Sequence, residues 1–192
     1  MTSFNSREKS GKFGVHKVVL LACVIISFST EISSAQTPSA PQPPVTIGGF
    51  SYNFIPRGRI HMFVCRNPAC VLGSKVSYSL FSPSSNPDFE QFKLAQEQVL
   101  SHLRARSPTG TTIKLGKIER TSDQLLTIFT GYREIEWANG SKLFTKSTQI
   151  YNEHITISLI SSSEEEQAAE TNGAQFLAGL LIWSGSQSKE RQ

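Results

Sequence analysis

The chain is poor in the residues on which metal and nucleophile chemistry most often depends. It holds 3 cysteines and 4 histidines among 192 residues. No His-Glu-x-x-His motif occurs, so the sequence gives no local support for a zinc hydrolase. No Gly-x-Ser-x-Gly motif occurs either, which removes the local sign of an α/β-hydrolase nucleophile. An enzyme built on these patterns is therefore not indicated.

Long apolar runs are missing as well. The longest apolar stretch, residues 18–28, is too short for a bilayer span, which needs roughly 20 such residues. Its position after four basic residues and before Ser33-Ser34-Ala35 is typical of a secretory signal peptide over residues 1–35. A lipid attached at Cys23 and an uncleaved anchor are the alternatives. We expect cleavage and a mature chain outside the cytoplasm, either periplasmic or secreted.

The mature chain also lacks a large surplus of positive charge. Residues 1–35 carry four basic and two acidic residues, so the remainder keeps fifteen against thirteen and a formal net charge of +2. Nucleic-acid binding requires a strongly basic surface, and so small a surplus does not indicate one. We therefore expect no nucleic-acid partner, and no transmembrane segment in the mature chain.

Two cysteines, Cys65 and Cys70, remain after removal of the leader. The Asn67-Pro68 pair between them favours a turn that brings the two ends together. In an oxidising compartment such a pair predicts a disulfide. A redox site and a metal site that also uses His61 are the alternatives, although redox enzymes use Cys-x-x-Cys and no fourth metal ligand is evident. We expect no cofactor.

Residue patterns divide the mature chain into a tether, one domain and a tail. Four prolines between residues 36 and 48 predict an extended, solvated tether. Strand and helix periodicities cover residues 49–185, which is the length of one domain. Residues 186–192 are polar and are predicted to form a tail.

Periodicity predicts seven strands and two helices in this domain. Strand alternation occurs three times before residue 82 and four times after residue 111. Asn86-Pro87 predicts the start of one helix, and a Ser163–Glu166 capping box predicts the start of the other. Asn172-Gly173 predicts a weak point within the second helix. The order β-β-β-α-β-β-β-β-α indicates an α+β fold, with a mostly antiparallel sheet and both helices packed on one face.

The order of these elements over residues 74–183 resembles the PsbP-like α+β fold of exported proteins. The single helix after the first strands, the four-strand meander and the closing helix carry the resemblance. The resemblance implies an accessory or binding protein without catalytic residues.

The Asn139-Gly140 pair is the strongest hairpin signal in the chain. A two-residue type I′ turn there places Arg133 opposite Lys146 on the apolar side of the sheet. Two like charges at that place are unfavourable, which leaves three explanations. A bulge turns one residue outward, Glu170 on the last helix neutralises the pair, or a basic notch binds an anionic ligand.

A second group of basic side chains surrounds the first hairpin. The candidates for contact with an anionic ligand or an acidic partner are Arg57, Arg59, His61 and Arg66. The alternative is a solvated edge whose charges block aggregation.

The leader and these side chains predict an exported, non-catalytic accessory or binding protein of the cell envelope. It would recognise an envelope protein or an anionic ligand through a surface or a cleft. The alternatives are a small extracytoplasmic hydrolase and a redox or metal protein centred on Cys65 and Cys70.

Overall fold

In the part of the chain that the structure describes, seven strands form one antiparallel sheet flanked by two helices. The computed structural model describes residues 41–189 apart from residues 67, 69 and 85, so the predicted signal peptide lies outside the described residues. The strands are β1 (Phe50–Ile55), β2 (Ile60–Cys65), β3 (Lys75–Phe81), β4 (Thr112–Ser122), β5 (Thr127–Glu136), β6 (Lys142–Tyr151) and β7 (Thr156–Ser163), and the helices are α1 (Phe89–Arg106) and α2 (Glu166–Lys189). The sheet has the order β1-β2-β3-β7-β6-β5-β4, with β1 and β4 at its edges. The predicted α+β class and element order are confirmed.

The two helices cover opposite faces of the sheet. Helix α1 packs on β4 and β5, where Phe89 and Phe92 contact Phe129. Helix α2 packs on β3, β6 and β7. Ile128 pairs with Ile150 in the core below α2, so its neighbour Phe129 points to the other face. The expectation that both helices share one face is corrected, because the apolar side chains of β5 alternate between two cores.

Side chains just before each helix set its first turn. The carboxylate of Asp88 accepts hydrogen bonds from the N–H groups of Glu90 at 2.9 Å and Gln91 at 3.0 Å. The cap of α1 is therefore Asp88, two residues after the predicted cap at Asn86. The hydroxyl of Ser163 accepts a bond from the N–H of Glu165 at 3.2 Å. Helix α2 then continues to Lys189, into the segment predicted as a polar tail.

Gly173 marks a close approach between α2 and the sheet. A Cβ atom at this position would lie 3.2 Å from the Cβ of Ser161 on β7. The helix is continuous through this residue, so the predicted weak point is not a break. Close packing explains why the smallest residue stands here.

The main core lies between α2 and the centre of the sheet. Phe176 is its central ring, with centroids 4.7 Å from Phe63 and 5.5 Å from Phe50. The fully buried members of this core are Phe63, Val76, Tyr78, Ile150, Ile157, Leu159, Phe176 and Leu180. The core therefore draws on four strands and on the middle of α2.

Residues 41–47 form a strap that lies against this core. Val45 and Ile47 pack against the core as partly buried side chains. The hydroxyl of Tyr78 accepts a hydrogen bond from the N–H of Val45 at 3.4 Å and donates one to its carbonyl at 3.3 Å. This part of the predicted tether is therefore docked on the domain, since the apolar side chains within it gain burial.

Substitution of Gly179 should loosen the strap. A Cβ atom at Gly179 would lie 2.7 Å from Cγ1 of Val45, which is too close for both groups to stay in place. A Cβ at Gly185 on the same helix would meet no atom within 4 Å. We expect Gly185→Ala to gain about 0.5–1 kcal/mol of unfolding free energy from helix propensity, and Gly179→Ala to lose stability.

Chemical denaturation and limited proteolysis of the strap measure the two effects. Gly179→Ala should speed cleavage before residue 45, and Gly185→Ala should leave the cleavage rate unchanged. Equal gains in stability from both substitutions would contradict the docking of Val45 against α2.

Candidate binding cleft

The basic residues around the first hairpin do not form one patch. Arg57 and Arg59 are exposed in the turn between β1 and β2, whereas Arg66 follows the opposite end of β2. A rise of about 3.3 Å per residue separates these two groups by roughly 20 Å. His61 is only 8% exposed, so it does not belong to the surface. The grouping predicted from sequence proximity is not assembled by the fold.

His61 lies in a stack of aromatic rings beside the strap. Its ring stacks on Tyr52 and Tyr78, with centroid distances of 5.9 and 4.9 Å. The Tyr52 hydroxyl donates to the carbonyl of Pro41 at 2.7 Å, so its oxygen accepts the bond from Nδ1 of His61 at 3.1 Å. We therefore assign the proton of neutral His61 to Nδ1. Burial and then the charge of Arg59 lower the pKa of His61 from its ordinary 6.5.

We expect His61 to make the fold less stable in mild acid. A lowered pKa in the folded state means that the unfolded chain binds the proton more tightly. The stability that neutral His61 provides is complete above pH 6.5 and is lost as the pH falls below that value toward the folded pKa. Denaturant unfolding between pH 7.5 and about 5 measures this loss.

Two variants isolate the contribution of His61. His61→Phe keeps an aromatic ring and removes the titration, so its unfolding free energy should vary less over this pH range. His102→Gln replaces a histidine that is exposed on α1 and should retain the wild-type pH dependence. An unchanged pH dependence in His61→Phe would show that His61 is not the responsible group.

Cys65, the last residue of β2, is joined to Cys70 in the following loop. The sulfur atoms of Cys65 and Cys70 are 1.94 Å apart and form a disulfide, as predicted. The backbone of Cys65 is fixed by bonds from its N–H to Ser74 at 2.8 Å and from the N–H of Gly73 to its carbonyl at 3.4 Å. Sulfur atoms bonded to each other cannot act as thiolate ligands, which argues against the metal site with His61.

Arg133 and Lys146 lie on opposite faces of the sheet, which corrects the predicted notch. Lys146 pairs with Tyr132, and Arg133 pairs with Thr145. The hairpin has three loop residues, because Trp137 and Ser141 are bonded across the turn and Gly140 adopts a φ of 81°. This one-residue difference from a type I′ turn shifts the register of β5 against β6 by one position, so the side chains of β5 change face relative to those of β6.

Arg133 has an unusual environment on the face that carries α1. Its Nε and Nη1 atoms are buried and have no hydrogen-bond partner in the described part of the chain. Burial lowers the pKa of its guanidinium group. Two buried guanidinium nitrogens without hydrogen-bond partners should reduce the stability of the fold.

A cleft of about 290 Å³ lies on the other face, where α2 leaves the outer strands uncovered. Its floor consists of two rows of paired residues. One row joins Lys114, Glu134 and Phe144, and the next contains Tyr132 and Lys146. One side is the first part of α2, with Glu166, Ala169 and Glu170. The cleft thus combines an aromatic floor with charges of both signs.

The charged groups of the cleft differ in whether they have partners. Lys142 binds Glu134 at 2.7 Å, and the hydrogen bond between them lowers the pKa of Glu134. The ammonium group of Lys146 lies 5.1 Å above the ring centre of Tyr132. Among the described residues no ion pair involves Lys114, Lys146, Glu166 or Glu170. Two cations on the sheet and two carboxylates on the helix are therefore available to a ligand.

Sequence reasoning identified only part of this cleft. Lys146 and Glu170 were both singled out, although as members of a cluster with Arg133. Lys114, Tyr132, Phe144 and Glu166 were not named as site residues. The sequence does not show that the hairpin loop has three residues. That loop length sets the register that places Tyr132 beside Lys146.

Two further properties concern only the residues that the structure describes. No group of three or more His, Cys, Asp or Glu side chains there is arranged to hold a metal ion. None of the helices found there has the length and apolar character needed to cross a membrane.

Comparisons with known proteins found a likeness in structure and no match in sequence. No protein-family model matches the sequence, and no curated protein matches it. The solution structure of cyanobacterial PsbP (CyanoP) from Synechocystis sp. PCC 6803 is similar, with 9% sequence identity and a TM-score of 0.36. The match covers 68% of this chain and 89% of that one. It agrees with the resemblance seen in the element order, and a likeness at this level carries no functional argument.

Proposed function

We propose that this chain is an exported protein of the cell envelope that binds a small ligand in the cleft between α2 and the outer strands. The leader pattern of residues 1–35 supports export. The disulfide between Cys65 and Cys70 fits an oxidising compartment, where such bonds persist.

The proposed binding function is supported above all by charged side chains around the cleft that have no ion-pair partner among the described residues. Lys114 and Lys146 on the sheet and Glu166 and Glu170 on the helix border one cleft, and none of these four belongs to an ion pair among the described residues. Small-molecule sites combine apolar walls with a few polar groups and start at roughly 300 Å³. Tyr132, Phe144 and Ala169 supply the apolar walls here, and the volume of about 290 Å³ suits a small molecule.

The proposed export is tested by the location of the product and by the position of its N-terminus. We expect the full chain, expressed with a C-terminal tag in a Gram-negative host, to appear outside the cytoplasm. Mass spectrometry should find an N-terminus close to Gln36 and a mass that corresponds to one disulfide. A product that begins at Met1 and stays in the cytoplasm would contradict export.

The binding role is tested by blocking the cleft. Glu170→Trp places a large side chain at its border, and Ile182→Trp places the same side chain on an exposed position of the same helix. We expect at least one compound of a general metabolite library to raise the melting temperature of the wild type and of Ile182→Trp, but not of Glu170→Trp. A ligand that stabilises all three proteins equally would bind elsewhere and would contradict the proposal.

A further inference from the structure

We propose that the cleft binds a small zwitterion, a molecule in which an ammonium group and a carboxylate are joined by a short apolar part. This inference rests on the proposed binding function and names its ligand class. The chemistry is shared by free amino acids and by dipeptides.

The arrangement of charge in the cleft supports this class. Lys114 and Lys146 project from β4 and β6 on the sheet, and both lack an ion-pair partner among the described residues. Glu166 and Glu170 lie four residues apart on α2, which puts them on the same side of the helix. Cations and anions thus occupy different elements around one space. A ligand with a single charge would leave one of these pairs without a partner.

The groups between the charges fit an apolar linker. Phe144 lies on the floor, and Ala169 is 2% exposed on the face of α2 that points to the sheet. The charge of Glu134 is only partly neutralised, because Lys142 lies 2.7 Å from Glu134 and is shared with Glu136 at 3.6 Å. The charge of Lys114 on the neighbouring strand also lowers the pKa of Glu134. The cation on Lys146 is held over the ring of Tyr132, where it faces the cleft with its aromatic partner.

Isothermal titration calorimetry with a set of related compounds tests the class. The set consists of leucine, leucyl-leucine, N-acetyl-leucyl-leucine and leucyl-leucine amide. The acetylated peptide lacks the ammonium group, and the amide lacks the carboxylate. We expect one of the two zwitterions to bind at least about tenfold more tightly than both single-charge derivatives. Leucine and leucyl-leucine distinguish an amino acid site from a dipeptide site.

Charge-removing variants assign each end of the ligand to one side of the cleft. In Lys146→Gln the preference for the free carboxylate over the amide should fall to about one, and the preference for the free ammonium group should remain. Glu170→Gln should show the reverse. Lys75→Gln and Glu97→Gln remove exposed charges outside the cleft and should behave like the wild type.

The outcomes separate the ligand class from the binding function. Equal affinity for the zwitterions and their single-charge derivatives would overturn the zwitterion class. So would a library ligand that Glu170→Trp blocks while no zwitterion binds, and in that case the binding function stands. Absence of any ligand sensitive to Glu170→Trp would overturn both.

Discussion

We expect Phe176→Ala to lose about 3–5 kcal/mol of the free energy of unfolding. Phe176 is 0% exposed, and its ring meets Phe63, Phe50 and Tyr78 in the core below α2. Alanine removes the ring from a place that helix and sheet backbone cannot easily close. Since whole domains are stable by about 5–15 kcal/mol, this loss is a large part of the total.

Urea unfolding followed by circular dichroism measures this effect. Ile182→Ala is the matched control, because Ile182 lies on the same helix and is 76% exposed, so its loss should stay within about 0.5 kcal/mol. Phe176→Leu retains most of the buried volume and should lose less than the alanine variant, which keeps the comparison measurable if Phe176→Ala does not fold. Similar losses at positions 176 and 182 would contradict the packing of α2 on the sheet.

We expect Arg133→Met to raise the free energy of unfolding by about 1–3 kcal/mol. The Nε and Nη1 atoms of Arg133 are buried without a hydrogen-bond partner in the described part of the chain. Methionine is flexible and apolar, so it can fill much of the same space without the penalty for an unsatisfied charge. Urea unfolding at neutral pH and fixed ionic strength provides the measurement.

The same substitution at an exposed position supplies the control. Arg57 lies in the solvated turn between β1 and β2, and Arg57→Met should change the unfolding free energy by less than about 0.5 kcal/mol. A loss of stability in Arg133→Met would mean that the guanidinium group gains a favourable interaction in solution. The assignment of the Nε and Nη1 atoms of Arg133 as buried and unsatisfied would then be wrong.

The order of the elements could be predicted from the sequence because local signals mark each boundary. Strand alternation in residues such as Val76, Tyr78 and Leu80 depends only on neighbouring positions. The disulfide could be predicted in the same way, since Cys65 and Cys70 are five positions apart and a turn lies between them. These signals require no knowledge of what packs across the sheet.

The faces of the sheet could not be predicted because they depend on one loop residue. Ala138, Asn139 and Gly140 form a three-residue loop, in which Gly140 alone takes a positive φ. The Asn-Gly pair is compatible both with this loop and with a two-residue turn. Only the two-residue turn would pair Arg133 with Lys146. The predicted pairing of Arg133 with Lys146, and the basic notch that depended on it, are therefore wrong.

The face of the sheet that each helix covers could not be predicted from the sequence either. Phe129 and Ile128 are neighbours that enter different cores, so β5 presents apolar side chains on both faces. Sequence alternation alone cannot tell such a strand from one with a single apolar face. The cleft lies over β4 and β5, which α2 leaves uncovered and on which α1 packs from the opposite face.

The pairing of β3 with β7 has a consequence for the folding rate. It joins residues 75–81 to residues 156–163, so the middle of the sheet closes only after most of the chain has been made. Contacts this far apart in sequence carry a large loop-closure entropy and place sheet proteins among slow folders, with times of milliseconds to seconds. A chain that completes its central strands last stays unfolded for longer, and under the proposed export this delay favours passage through a narrow translocation channel.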